Sequence, residues 1–145
     1  MSLFSLLSVS SSGMSAQRSR AELLVENIAN AETTRTPEGG PYRRKDAIFR
    51  AEAQASPFSA VFQTEMGTGT MGVGVAEVVE DMRPPEKRYV PGHPDADAQG
   101  YVLFPAANPV EDMVDLMGAT RGYHANVAAI GAIKDMIQKS IDLLR

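Results

Sequence analysis

The sequence predicts an α+β fold: long, coiled-coil-like N- and C-terminal α-helices flanking a small β-rich middle domain. Three observations carry that reading. Eight of the nine prolines fall between residues 32 and 108, so the two ends lack helix breakers apart from Pro109. Apolar residues recur at every seventh position from residue 116 to the end. The middle holds short β-branched and aromatic runs bounded by glycine and proline. The expected division is an N-terminal helix over 1–31, a β-rich domain with loops over 32–108, and a C-terminal helix over 109–145.

The N-terminal zone is the weaker helix. Leu7, Met14, Ala21 and Ile28 form one seven-residue series; Leu3, Ser10, Gln17, Leu24 and Ala31 form the other. Its first half is rich in serine and contains Gly13, so intrinsic propensity alone does not hold it helical and a partner is expected. In the middle, strands are expected at 43–50, 73–80, 87–90 and 101–104, with 57–63 either strand or helical turn. The C-terminal helix announces its start: Asn108 can cap, Pro109 suits the first helical position, and Glu111 completes a capping-box spacing. Its seam is Leu116, Tyr123, Ile130, Ile137 and Leu144, paired with Met113, Thr120, Val127, Lys134 and Ile141. Val114, Met117, Ile133, Met136 and Leu143 lie off that seam, and Gly118, Gly122 and Gly131 interrupt the helix at about 1 kcal/mol each. More apolar surface is offered than one helix covers. The ends are therefore expected to be completed by neighbouring subunits.

Composition excludes several function classes. The net charge is −4, and the longest basic run is Arg43-Arg44-Lys45, so no face suits a phosphate backbone and no nucleic-acid partner is expected. The absence of cysteine removes disulfides, thiol catalysis and Cys-ligated zinc. No apolar stretch is long enough to span a bilayer, and the N-terminal run lacks the basic start of a cleaved signal peptide.

One stretch invites a chemical reading. "HPDADAQGYV", residues 93–102, sets His93, Asp95 and Asp97 within five positions. A calcium loop opening at Asp95 would need a bidentate glutamate at its twelfth position, which is Ala106. A transition-metal site needs further ligands, and the one other histidine is His124. The reading preferred is a turn in which Pro94, the short acids and Gly100 lead into a strand at Tyr101. "GTGTMG" at 67–72 matches a dinucleotide-loop pattern, but a β-type run follows it where the mechanism needs a helix. No G-x-S-x-G elbow is present. Arg43-Arg44-Lys45 reads as a solvated strand edge that could pair with acids on a neighbour, and His124 as a packed interface residue. No catalytic, cofactor-binding or metal residue is assigned.

Four segments carry a resemblance. "GMSAQRSRAELLVENIANAET" resembles the N-terminal signature of the rod proteins in the bacterial flagellar axial family. "PYRRKDAIF" resembles the opening of their middle region, and "YVPGHPDADAQGYVLFP" the segment that separates one proximal-rod member from the other rod proteins. The run from Glu111 to Leu143, with Arg121, Tyr123, Ala125 and Asn126, resembles their C-terminal helix. Residues 25–30 read Val-Glu-Asn-Ile-Ala-Asn and depart from the family's hexapeptide at Val25 and Glu26. The resemblance implies a structural subunit without cofactor, carried by the flagellar type III export apparatus without a cleaved signal. It further implies assembly with copies of itself and other rod subunits into a helical tube that passes torque across the periplasm. The implied assembly residues are Leu7, Met14, Leu24, Asn27, Ile28, Asn30, Met113, Leu116, Tyr123, Asn126, Val127, Ile130, Ile137, Ile141 and Leu144. His93, Pro94, Asp95, Asp97, Gly100 and Tyr101 are expected to form a turn and inter-subunit surface. Two alternatives remain at this level: a soluble coiled-coil adaptor or export-chaperone-like module, and a metal-dependent enzyme using His93, Asp95 and Asp97.

Overall fold

The structure is a computed structural model that describes residues 3–53 and 71–143. The expected element at 57–63, most of the glycine-rich run and Leu144 lie outside the described residues. The order is α1 (Leu3–Ala29), β1 (Lys45–Ala53), β2 (Met71–Glu80), β3 (Glu86–Tyr89), β4 (Tyr101–Phe104) and α2 (Pro109–Asp142). The α+β class is borne out, with two long helices flanking two small antiparallel sheets.

The helices pair with each other inside the subunit. Opposing positions run in opposite order: Gly13 meets Asn126, Gln17 meets Gly122, and Arg20 lies 3.7 Å from Asp115. The pair is therefore antiparallel. α2 begins as the sequence requires, with Asn108 in extended backbone, its side-chain oxygen accepting from Val110 N at 3.1 Å, and proline in the first turn. At 34 residues against 27, α2 is the longer rod, about 51 Å against about 40 Å at 1.5 Å per residue.

Both N-terminal series turn inward, with Ser10, Leu24 and Ala31 buried and Leu7, Met14, Ala21 and Ile28 half-buried. In α2 only one series does. Leu116, Tyr123, Ile130 and Ile137 are half-buried, as expected of a seam. Their partners are Asp112, Ala119, Asn126 and Ile133, of which Asp112 and Ala119 are fully buried and Ile133 is 6% exposed. Met113, Val127 and Ile141 are instead 51%, 43% and 54% exposed, and Thr120 and Lys134 are exposed too. Within the subunit the face against α1 is therefore the series one position earlier, and the 113 series stays outside. The sequence seam followed apolar character, whereas the buried face is chosen by closeness to α1 and by a charge partner for Asp112.

The described part of the middle holds two separate two-stranded sheets, β1–β2 and β3–β4. β1 and β2 pair from Lys45↔Glu80 to Ala53↔Met71, with a bulge that leaves Ala76 unpaired between Ile48↔Glu77 and Phe49↔Val75. A lone hairpin is marginal in water, and this one leans on α1. The contact moves across the sheet. At one end the Asn27 amide bonds Lys45 on β1; at the other, Ser12 Oγ accepts from Val73 N on β2 at 3.1 Å. α1 thus passes obliquely beneath the hairpin.

Candidate assembly surface

The C-terminal end of α1, residues 42–46 and the first turns of α2 meet in a buried polar junction. Asn27, fully buried, treats Lys45 as a strand neighbour would. Its Nδ2 donates to Lys45 O at 2.8 Å, and its Oδ1 accepts from Lys45 N at 2.9 Å and from Tyr42 Oη at 3.0 Å. Lys45 Nζ donates to Glu26 Oε1 at 2.7 Å, the main cause of the raised Lys45 pKa. Burial, with the Glu26 charge second, pushes the Tyr42 phenol far above its ordinary value. Glu26, where the family hexapeptide differs, thus has a structural role.

Arg44 draws the acidic start of α2 inward. Its Nε donates to Asp112 Oδ1 at 2.8 Å, its Nη2 lies 2.8 Å from the same oxygen, its Nη1 donates to Asp46, and Asp115 lies 3.8 Å away. Burial alone would lower the Arg44 pKa; the bonds and charges of Asp112 and Asp46 together outweigh it and raise it. The Arg44 side chain is 15% exposed and that of Asp112 0%. The basic run is thus not uniformly a solvated edge. Sequence reasoning missed this pair because its members are 68 residues apart and each has an adequate local explanation.

The 93–101 stretch forms a hydrogen-bonded turn. Asp97 Oδ1 accepts from Gln99 N at 2.9 Å and Tyr101 N at 2.8 Å, and Gly100 N donates to Asp97 O. Gly100 holds φ +84°, and a Cβ there would come within 2.9 Å of the Tyr89 ring. Asp95 Oδ2 accepts from Thr34 Oγ1 at 2.8 Å, which ties the turn to the segment after α1. His93 Nδ1 accepts from Asp95 N, Pro94 is exposed, and Tyr101 stacks edge-on against Tyr89 at 5.4 Å. Among the described residues no three His, Asp or Glu side chains converge as a metal would need.

The remaining predicted residues divide by exposure. Leu24 and Asn27 are buried, and Asn30 is half-buried with its Nδ2 donating to Glu26 O. Asn126 packs into the notch left by Gly13, and Gln17 into that left by Gly122. Gly13 was read only as a weak helix former and Gln17 only as a seam position, and Asp112 was not assigned; an intra-helix glycine facing an amide-bearing partner is the signal that could have found the first two contacts. The side of α2 away from α1 exposes Val110 at 67%, Val114 at 57% and Met117 at 54%, beside Met113. His124 stands exposed next to Tyr123. No described helix is long and apolar enough to cross a membrane.

The chain is similar to known proteins along its whole length. Residues 98–143 match the family described as flagellar basal body rod FlgEFG protein C-terminal. The chain is 40% identical over 152 residues to flagellar basal-body rod protein FlgC of Borreliella burgdorferi, covering 100% of the chain and 99% of the relative. The FlgC of Bacillus subtilis is 39% identical over 150 residues, covering 99% of both. That of Escherichia coli O6:H1 is 37% identical over 143 residues, covering 99% of the chain and 98% of the relative. With both helices, the junction and the turn all inside these alignments, the chain belongs to the flagellar basal-body rod protein FlgC family and is a structural subunit of the basal-body rod.

Proposed function

We propose that the chain joins copies of itself and other rod subunits in a helical tube, the proximal rod, and transmits torque across the periplasm. It reaches that site through the flagellar export apparatus. In this reading 1–31 and 109–145 form the tube's core, 32–108 selects neighbours, and the subunit has no catalytic role. Close-packed helices suit torque because interlocked side chains leave little free volume for shear.

The observation that supports this reading is the outward side of α2. α1 meets one side only, and Val110, Met113, Val114 and Met117 stay exposed on the other. Burying such a side chain contributes about 1.5–3 kcal/mol, so four of them favour association appreciably. Within the proposed assembly set, Met113, Val127 and Ile141 touch neighbours directly. Leu7, Met14, Leu24, Ile28, Leu116, Tyr123, Ile130 and Ile137 hold the subunit that presents them. The turn at 93–101 offers its exposed Pro94 and Tyr101 to a neighbour.

The test is a chain carrying Met113→Asp and Met117→Asp. Its thermal midpoint should stay near that of the wild type, because both residues are exposed. Its recovery in purified basal bodies should fall about tenfold or more, since a carboxylate would be buried unpaired at each contact. Normal recovery would remove α2 from the assembly surface.

A further inference from the structure

The two faces and edges of the β1–β2 hairpin suggest a second contact between copies, away from α2. In an antiparallel pair, alternate residues point their backbone N–H and C=O away from the partner strand. Lys45 does so, because Asn27 bonds both of its groups. By alternation Ala47 and Phe49 do the same on β1, and Val78 and Glu80, opposite Ala47 and Lys45, do so on β2. Among the described residues each strand has a strand neighbour on one side only, and the helix beneath touches the β1 edge at Lys45 and the β2 edge at Val73. Among the described elements only α1 packs against the hairpin, and none pairs with the edges between. Unpaired edges are sites of strand addition unless something blocks them. Neither 46–50 nor 77–80 contains proline; the bulge lies at Ala76, just before the second stretch, and the charges Asp46, Arg50, Glu77 and Glu80 flank the apolar residues of both.

We infer that β1 of one copy pairs with β2 of the next, head to tail and antiparallel, so that successive copies share one continuous sheet. One register satisfies the side chains. With Phe49 opposite Val78 of the next copy, Ile48 meets Val79 and Arg50 meets Glu77. Ile48, Val78 and Val79 are exposed by 48%, 46% and 38%, and this pairing covers all three. It also sets a cation against an anion, which a cross-strand pair rewards. Sliding by two residues one way places Glu52 against Glu77. The symmetric alternative, β1 against β1, pairs Ile48 with itself but leaves Val78 and Val79 uncovered. A head-to-tail contact repeats without closing on a two-fold axis, as a filament needs. Asn27 limits the pairing, since it already occupies Lys45. The proposal rests on the reading of the chain as a self-assembling rod subunit.

The chain has no native cysteine, so cross-linking reports it cleanly. Two full-length chains, one with Ile48→Cys and one with Val79→Cys, are co-expressed, and basal bodies are purified and oxidised. Non-hydrogen-bonded antiparallel neighbours have Cα atoms about 4.5 Å apart, within disulfide reach. Disulfide-linked heterodimers should dominate. A predominance of Ile48→Cys homodimers would mean symmetric pairing, and no cross-link in basal bodies containing both chains would mean no edge contact; either overturns the inference. Absence even of the wild-type chain from basal bodies would overturn the rod reading, and this inference with it. Arg50→Glu and Glu77→Arg should each lower recovery in basal bodies about fivefold, and their combination in one chain should restore it. Unequal thermal midpoints would expose a folding defect, and the cysteine pair then decides. Failure of the combination to restore recovery in normally folded chains would also overturn the edge contact.

Discussion

The two ends of the helix pair are built on different physics. At the junction, Asn27, Tyr42, Arg44, Lys45 and Asp112 make directional bonds, with Asn27 and Asp112 fully buried. Farther along, where Gly13 faces Asn126 and Gln17 faces Gly122, the helices are fitted by shape, small against large. Directional bonds fix which way α2 turns, whereas shape permits close approach. The difference explains why a buried aspartate occupies a seam position and Met113 does not. The junction turns α2 so that its apolar residues at 110, 113, 114 and 117 face away from α1. Assembly is left to that outward side because the inner one is already engaged.

The contrast can be broken most forcefully at Asp112. Asp112→Ala leaves Arg44 mostly buried without its main partner, and chemical denaturation should show a loss of about 3 kcal/mol, softened by Asp46 and Asp115 nearby. The shape-fitted region should respond to volume instead. Gly13→Val would push a Cβ to 2.8 Å from Asn126 Oδ1 and should cost about 1–3 kcal/mol, partly recovered by Asn126→Ala in the same chain.

Tyr42→Phe removes one bond to Asn27 and should cost about 1 kcal/mol at neutral pH. The pH dependence sharpens the point. Because the folded phenol's pKa is raised, its contribution is complete below the unfolded value near 10 and is lost as pH rises beyond it. Alkaline titration of stability should therefore fall more steeply for the wild type than for Tyr42→Phe; parallel curves would show that the phenol is not held protonated by the fold. The smallest effect is expected at Gly118, where an added Cβ meets nothing within 4 Å. Gly118→Ala should stabilise the lone chain by about 1 kcal/mol, the opposite sign to Gly13→Val.

The same comparison shows how far the chain could be read from its residues. The start of α2 was legible because caps are local: Asn108, Pro109 and the first-turn acids act within one turn. Strands at 45–53, 71–80, 86–89 and 101–104 were expected within two or three residues at each end, since β-branched runs and glycine breaks also act locally. The turn at 93–101 followed from Asp97 and Gly100, whose bonds stay within five positions. The Arg44–Asp112 pair, the Asn27 clamp on Lys45 and the inward choice of Asp112 over Met113 had no such signal. Each depends on segments 18 to 68 residues apart meeting in space.

The sequence by itself determined which segments are helical, where they start and that they carry apolar residues in excess. It did so through short-range sterics, capping and periodicity, which need no knowledge of partners. Only the tertiary structure decided that the helices pair with each other, which side of α2 remains outside, and where the hairpin edges emerge. Those outcomes depend on closeness between distant segments, where one buried arginine can turn a helix face that apolarity alone would have placed differently.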